Sequence, residues 1–207
     1  MTTSIGVARP ASFPSFGFDS LAPCTGAMLQ DAKLAGFKWV GRYLHNLTAQ
    51  EVSIIFAMKL GIAPLTFAPT AVVLTASTGV QYGTQAVHQA RGLQIPPKVD
   101  ITVDYESPMA GSDGPAHLTG FWQQLVGNGY GDCLYVGGPE DLNAGQLMAQ
   151  PFTGYWKGGG QVPEPACGWK NIQLEPLEGV TFGGAKCDAN VSKSDYRGRA
   201  YQMWWPA

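Results

Sequence analysis

The sequence alternates strand-like and helix-like segments along most of its length, and this alternation limits the possible folds more than any other feature. Short runs of β-branched and aromatic residues are followed, up to about residue 150, by stretches with the apolar spacing of helices. The predicted strands are 15–20, 37–44, 62–69, 99–108 (a strand running into a loop), 132–137, 152–156, 169–174 and 184–191. The predicted helices are 25–36, 48–61 (with a Thr48–Glu51 capping box), 79–93, 111–129 and 140–150. Such an alternation predicts parallel strands joined by right-handed crossovers.

This pattern predicts an α/β fold. About eight strands in 207 residues is the number expected for a compact (β/α)8 TIM-like barrel whose last helices are shortened or missing. An open doubly wound sheet is the competing architecture, but no G-x-G-x-x-G motif follows the first strand. Residues 1–14 are rich in Ser, Thr and Pro and are predicted to form an irregular arm, and residues 15–207 are predicted to form a single barrel domain.

The composition excludes several classes of function. A formal net charge of -2 and 14% charged residues offer no electrostatic reason for binding nucleic acid or an anionic membrane. The N-terminus lacks the basic and apolar regions of a signal peptide, and no apolar run is long enough to span a bilayer, so we expect a soluble protein. The scattered cysteines and histidines form no zinc motif and no catalytic triad, although a Cys167–Cys187 disulfide remains open.

Two acids lie close together at the end of the fourth predicted strand. Asp104 and Glu106 are two residues apart, so their side chains point to the same face of the strand. Neighbouring like charges raise the pKa of one group, which can leave one carboxylic acid and one carboxylate at neutral pH. On this stretch alone, two solvated acids at a strand end remain an equal alternative.

A barrel would bring further acids to the same end, because the carboxyl ends of its strands form the functional face. Asp19 ends the first strand, and Asp188 lies in the eighth, which neighbours the first when the barrel closes. Aromatic and amide side chains are expected at the same level, namely Tyr43, Phe67, Tyr135, Trp156 and Gln173. Acids with aromatic walls suit a sugar, although core packing is the alternative for any single aromatic residue.

Several motifs occur in the order expected for a known family. They are Gly17-Phe18-Asp19, Asp104-Tyr105-Glu106 and the segments 38–44, 47–51, 61–64 and 187–190. Through these motifs the chain resembles the glycoside-hydrolase-like domain family of bacteria and their phages, which is related to the family 25 lysozymes.

The resemblance implies a barrel whose lysozyme relatives cut the β-1,4 bond between N-acetylmuramic acid and N-acetylglucosamine, without metal or organic cofactor. It implies that Glu106 is the general acid and that Asp104 raises the pKa of Glu106 or stabilises the oxocarbenium-like state. Asp19 and Asp188 would position substrate or water. The implied partner is cell-wall polysaccharide, as for a lysozyme or a phage endolysin.

Two other functions remain open from the sequence. The barrel could be a catalytically silent carbohydrate-binding or structural domain, such as a phage tail protein that contacts other virion proteins. It could also be an enzyme for another substrate. The aromatic C-terminal segment, residues 201–205, is either a docking strip for a partner chain or, as we favour, the element that closes the bottom of the barrel.

Overall fold

The computed structural model describes residues 6–66, 71–106, 108–137, 142–174 and 179–207. Its strands are β1 (Gly6–Pro10), β2 (Ser15–Ser20), β3 (Trp39–Tyr43), β4 (Gly61–Leu65), β5 (Asp100–Glu106), β6 (Gly131–Gly137), β7 (Tyr155–Lys157), β8 (Asn171–Gln173), β9 (Val180–Phe182), β10 (Ala185–Ser192) and β11 (Gln202–Pro206). Its helices are α1 (Gly26–Leu34), α2 (Ala49–Ala57), α3 (Ala76–Gly92), α4 (Gly114–Gly127) and α5 (Ala144–Ala149).

Eight strands close into a barrel in the order β4-β3-β2-β10-β8-β7-β6-β5, and pairing between β5 and β4 completes the ring. Helices α1 to α5 connect the strands up to β7, whereas the described residues between β7 and β8 contain no helix. The predicted TIM-like barrel with shortened last helices is therefore confirmed. We call the end formed by the carboxyl ends of β2 to β8 the mouth of the barrel, and the opposite end its bottom.

The pairing of the eighth barrel strand differs from the prediction. Each strand from β2 to β7 pairs in parallel with the next one along the chain, as expected. β10, however, runs antiparallel to both β2 and β8, so the expectation of uniformly parallel strands is wrong here. β9 and β10 form a hairpin whose connection contains Gly183 and Gly184, both with positive φ. An antiparallel strand needs no crossover helix, which explains the short C-terminal third.

The two ends of the chain form a ribbon against the barrel. Residues 6–10, predicted to lie in an irregular arm, form β1 and pair antiparallel with β11. β11 in turn pairs with β4 at Trp204 and Ile62. Tyr201 and Met203 are buried inside the barrel, where the Tyr201 hydroxyl contacts the Thr102 hydroxyl and donates to the Asp100 carbonyl. The aromatic C-terminus thus closes the bottom, as we favoured.

Apolar side chains pack in two layers on either side of the barrel wall. The larger layer lies between the strands and the surrounding helices, and the smaller one fills the barrel interior around Trp39 and Trp156. Gly17 is required by this interior, because a Cβ at that position would overlap the indole ring of Trp39. In the Gly17-Phe18-Asp19 motif, Gly17 therefore makes room for the Trp39 ring, Phe18 packs in the outer layer, and Asp19 lies above the interior core.

The Thr48–Glu51 capping box is only half formed. The Thr48 hydroxyl accepts from the Glu51 amide as expected. The Glu51 carboxylate instead accepts from the buried Arg42 guanidinium, at 2.6 Å from Nε, and from the Cys24 amide at 2.8 Å. A charge-assisted bond to a buried guanidinium is stronger than a bond to a neutral amide, which explains why Glu51 turns away from the helix end.

All four cysteines are free and buried, so the Cys167–Cys187 disulfide that the sequence left open does not form. Among the described residues, no helix is both long enough and apolar enough to cross a membrane.

Candidate active site

Four acidic residues lie at the mouth of the barrel. Asp19 is near the end of β2, and Asp104 and Glu106 are near the end of β5, as parallel strands require. Asp188 reaches the same level for a different reason, because β10 is antiparallel and begins at the mouth. Its register places Asp188 directly opposite Asp19. The reversed strand therefore still contributes its acid to the same face.

Three of these acids line one open cavity of about 730 Å³. Asp19, Glu106 and Asp188 form its acidic surface, and Asp104 is set back behind them with 8% of its surface exposed. The other lining residues are Ser20, Leu21, Ala22, Tyr43, Tyr135, Gly159, Gln173, Gly179, Lys186 and Cys187. A cavity of this volume is within the range of ligand-binding pockets.

Asp19 is held by an amide from the neighbouring strand. Asn190 Nδ2 donates to Asp19 Oδ2 at 2.7 Å, and Asn190 Oδ1 accepts from Trp156 Nε1 at 3.1 Å. Burial raises the pKa of Asp19 to about 7; the Asn190 hydrogen bond lowers it, and the Asp188 and Glu106 charges raise it. Asp19 therefore changes its protonation near neutral pH.

Asp104 lies deeper and has fewer partners. The Tyr43 hydroxyl donates to Asp104 Oδ2 at 3.2 Å, whereas the buried Oδ1 has no hydrogen-bond partner. Burial, followed by the charge of Glu106, raises the pKa of Asp104 to about 8. At neutral pH the protonated form therefore predominates, which avoids an unpaired buried charge.

Glu106 is half-buried and lies on the cavity wall. Burial raises its pKa, contact with the Tyr135 hydroxyl lowers it, and the charge of Asp188 raises it again. The Tyr135 hydroxyl donates to Gln173 Oε1 at 2.8 Å, so Gln173 orients the tyrosine beside the acid. A carboxyl group with a raised pKa at an open cavity has the properties of a general acid.

The predicted substrate-binding residues fall into three groups. Tyr43, Tyr135 and Gln173 line the cavity. Trp156 does not, because it is fully buried in the barrel interior, where its ring makes edge contacts with Trp39, Tyr135 and Tyr201. Phe67 lies outside the described residues. Core packing, the alternative for any single aromatic residue, therefore describes Trp156.

Sequence reasoning gave no role to two residues of the site, Asn190 and Lys186. Asn190 belongs to the 187–190 motif and bonds to Asp19, and Lys186 is an exposed residue on the cavity wall. Both lie at even spacing from Asp188, so strand periodicity could have placed all three on one face. No group of three or more His, Cys, Asp or Glu residues in the described ranges is arranged to hold a metal ion.

No family model and no curated protein matches the sequence. Solved structures, in contrast, match nearly the whole chain. An uncharacterized protein from B. stearothermophilus has a TM-score of 0.68 at 19% identity, with 91% of this chain and 99% of that chain covered.

A bacterial lysozyme and the catalytic domain of a phage endolysin have the same fold. The lysozyme from Streptomyces coelicolor gives a TM-score of 0.57 at 12% identity, covering 89% of this chain and 94% of the lysozyme. The catalytic domain of endolysin ply40, from bacteriophage P40 of Listeria monocytogenes, gives 0.59 at 11% identity, covering 89% and 95%. The predicted resemblance to lysozyme-type barrels is therefore confirmed for the fold.

Proposed function

We propose that this protein is a glycoside hydrolase of the lysozyme type that acts on peptidoglycan. The observation that carries this proposal is the convergence of Asp19, Glu106 and Asp188 on one open cavity, with the buried Asp104 behind them. Glycoside hydrolysis needs one carboxylic acid and one carboxylate on either side of the scissile bond. The shared fold with a lysozyme and an endolysin supports cell-wall glycan as the substrate.

Glu106 is the general acid in this proposal. It lies on the cavity wall, and burial and the charge of Asp188 raise its pKa, so it keeps its proton to a higher pH than an exposed glutamate does. It donates that proton to the oxygen of the leaving sugar as the glycosidic bond breaks. Tyr135, held by Gln173, orients the carboxyl group.

Asp188, Asp19 and Asp104 have separate roles in this proposal. Asp188, half-buried and open to the cavity, provides negative charge next to the developing oxocarbenium ion, while Asp19 positions substrate or water from the opposite strand. Asp104 is mostly protonated at neutral pH, so it supports the site as a neutral acid paired with Tyr43. In this proposal the charge-stabilising role passes from Asp104 to acids that face the cavity.

Replacement of Glu106 by Gln tests the proposal. The amide keeps the size of the side chain but cannot give up a proton in this way, so release of reducing sugar from purified cell walls should fall by about 10² to 10⁴-fold. The control is Glu164→Gln, at an exposed glutamate that accepts from Tyr196. It should retain full activity. An unchanged rate for Glu106→Gln, with the fold intact by circular dichroism, would remove Glu106 from this role.

A catalytically silent carbohydrate-binding or structural domain is the second candidate. It is favoured by the burial of Trp156 in the barrel interior, which leaves the cavity without that aromatic ring. This candidate predicts that the unmodified chain binds glycan without releasing reducing sugar from any peptidoglycan. For a phage tail protein, it also predicts a stoichiometric amount of the chain in purified virions.

A further inference from the structure

Lys186 shares a strand face with the acid and the amide of the site. Lys186, Asp188 and Asn190 alternate along β10, so their side chains project to the same side of the strand. Asn190 is buried and holds Asp19, Asp188 is half-buried at the cavity, and Lys186 is exposed on the cavity wall. The face therefore runs from the barrel interior to the rim and ends in a positive charge.

The charge of Lys186 is unusual for its position. Among the described residues that line the cavity, three are acidic and Lys186 is the one basic residue. It forms no ion pair within 4.0 Å with any acid in the described ranges. Two residues along a strand separate it from Asp188 by about 7 Å, so its ammonium group is free to turn towards a bound ligand.

We propose that Lys186 binds a carboxylate on the glycan and makes the cavity selective for an anionic sugar chain over a neutral one. This inference rests on the proposed function. The three acids that line the cavity repel an anionic substrate, and a cation at the rim offsets that repulsion for a carboxylate placed beside it. In peptidoglycan such a carboxylate belongs to the peptide attached to muramic acid or, where the peptide has been removed, to the lactyl group itself.

Lys186 is thus a binding residue rather than a catalytic one. A neutral polymer of N-acetylglucosamine offers no group for the ammonium, and its hydroxyl and acetamido groups depend on the tyrosines and Gln173 instead. Specificity is a difference between affinities, so Lys186 should alter the ratio of the two affinities more than it alters the binding of the neutral chain.

The experiment measures binding by calorimetry in the Glu106→Gln background, where a substrate stays intact. The probes are soluble peptidoglycan strands with peptides, the same strands with the peptides removed by an amidase, and a neutral chitin oligosaccharide. The variants are Lys186→Met, Lys186→Glu and Lys186→Arg. Lys38→Met, at an exposed lysine next to the start of β3 at the bottom of the barrel, is the control.

We expect Lys186→Met to weaken binding of the carboxylate-bearing strands by about fivefold, as expected for a solvent-exposed charge pair. Lys186→Glu should weaken it further, Lys186→Arg should preserve it, and Lys38→Met should change nothing. Binding of the chitin oligosaccharide should change less than about twofold, and the selectivity should shrink at about 1 M salt. An amidase removes the peptide carboxylates and frees the lactyl carboxylate, which is an amide while the peptide is attached. A Lys186 dependence that is lost on removing the peptides therefore assigns the peptide carboxylate, one that appears only after their removal assigns the lactyl carboxylate, and one present in both strands shows that Lys186 accepts either.

Equal weakening of all three probes by Lys186→Met would overturn the inference, as would equal effects of Lys186→Met and Lys38→Met. Hydrolysis is measured separately on the unmodified chain. Charge-selective binding without hydrolysis would refute the hydrolase and leave the assignment of Lys186 standing. Hydrolysis with no effect of Lys186 on selectivity would refute the assignment of Lys186 and leave the hydrolase standing. No binding of any probe would overturn both proposals.

Discussion

Both ends of the barrel bury a carboxylic acid, but the two acids differ in their hydrogen-bond and ion-pair partners. At the bottom, Asp100 Oδ2 accepts from Lys170 Nζ at 3.3 Å and from the Gln202 amide at 3.0 Å. At the mouth, Asp104 is bonded by one tyrosine hydroxyl and has no partner for its second oxygen. The two aspartates are on the same strand, β5, four residues apart.

The difference in partners changes both pKa and role. Burial raises the pKa of Asp100 to about 6, and Lys170 and the Gln202 amide hold it down, whereas the pKa of Asp104 rises to about 8. The paired acid anchors β11 and closes the bottom. Asp104, which has no basic partner among the described residues, stands behind an open cavity. Burial of an acid without a cation costs stability, and such sites are often functional.

Breaking the pair at the bottom should have the largest effect on stability. Lys170→Met leaves Asp100 buried without its cation, so the free energy of unfolding should fall by about 3 kcal/mol, as measured by urea denaturation at pH 7. The loss should be smaller at pH 5, because Asp100 can then take up a proton. The double variant Lys170→Met with Asp100→Asn carries no buried charge at this position and should recover most of the loss. Equal instability of the single and double variants would refute the pairing argument.

Neutralising Asp104 at the mouth should have a smaller effect, in the opposite direction. The folded pKa of about 8 exceeds the ordinary value of 3.8, so the folded state retains a proton that the unfolded chain releases. Stability from this group is therefore full below about pH 4 and is lost as the pH rises towards about 8. Asp104→Asn should be more stable than the unmodified protein at pH 6 by about 1 to 3 kcal/mol and indistinguishable at pH 4.

The control for Asp104 is Asp31→Asn, at an exposed aspartate on α1 that accepts from the Gly183 amide. Urea midpoints at pH 4, 6 and 8 should show a flatter pH dependence for Asp104→Asn and an unchanged one for Asp31→Asn. A parallel dependence of the Asp104 variant and the unmodified protein would show that Asp104 is ionised in the fold.

Removing the remaining partner of Asp104 should have the smallest effect. Tyr43→Phe takes away the hydroxyl that donates to Asp104 Oδ2. Because Oδ1 already has no partner, neither carboxyl oxygen then accepts a hydrogen bond. The expected cost is about 1 kcal/mol in the free energy of unfolding. Because this hydrogen bond lowers the pKa of Asp104, its loss should also raise that pKa, which carboxyl NMR titration would detect. A lowered pKa would show that Tyr43 does not support the ionised form.

Much of the barrel could be predicted because its local signals are strong. Helices α1 to α4 and most of the barrel strands follow from apolar periodicity, with the Thr48 cap marking the start of α2. Asp19, Asp104 and Glu106 were placed at one end by a general rule, since parallel strands bring their carboxyl ends to the same face. These features depend on short stretches of chain, so the sequence carries them locally.

Other features depended on contacts between distant residues. The reversal of β10, the pairing of β1 with β11 and the turning of Glu51 towards Arg42 leave no mark within a single segment. The same holds for Trp156. Its position at the end of a predicted strand indicated the mouth, but its side chain packs against Trp39 and Tyr201 in the barrel interior. Strand direction and side-chain partners depend on which surfaces meet, and that is decided by long-range packing.

By itself, the sequence determined the alternation of elements, the barrel and the strands that carry acids, because backbone preference and side-chain periodicity act over a few residues. The tertiary structure alone decided which acids have partners. Asp100 meets Lys170 from 70 positions away, whereas no lysine or arginine in the described ranges forms an ion pair with Asp104. Burial and charge act through space, so the difference between an acid paired with a cation and an acid without one appears only when the barrel is closed.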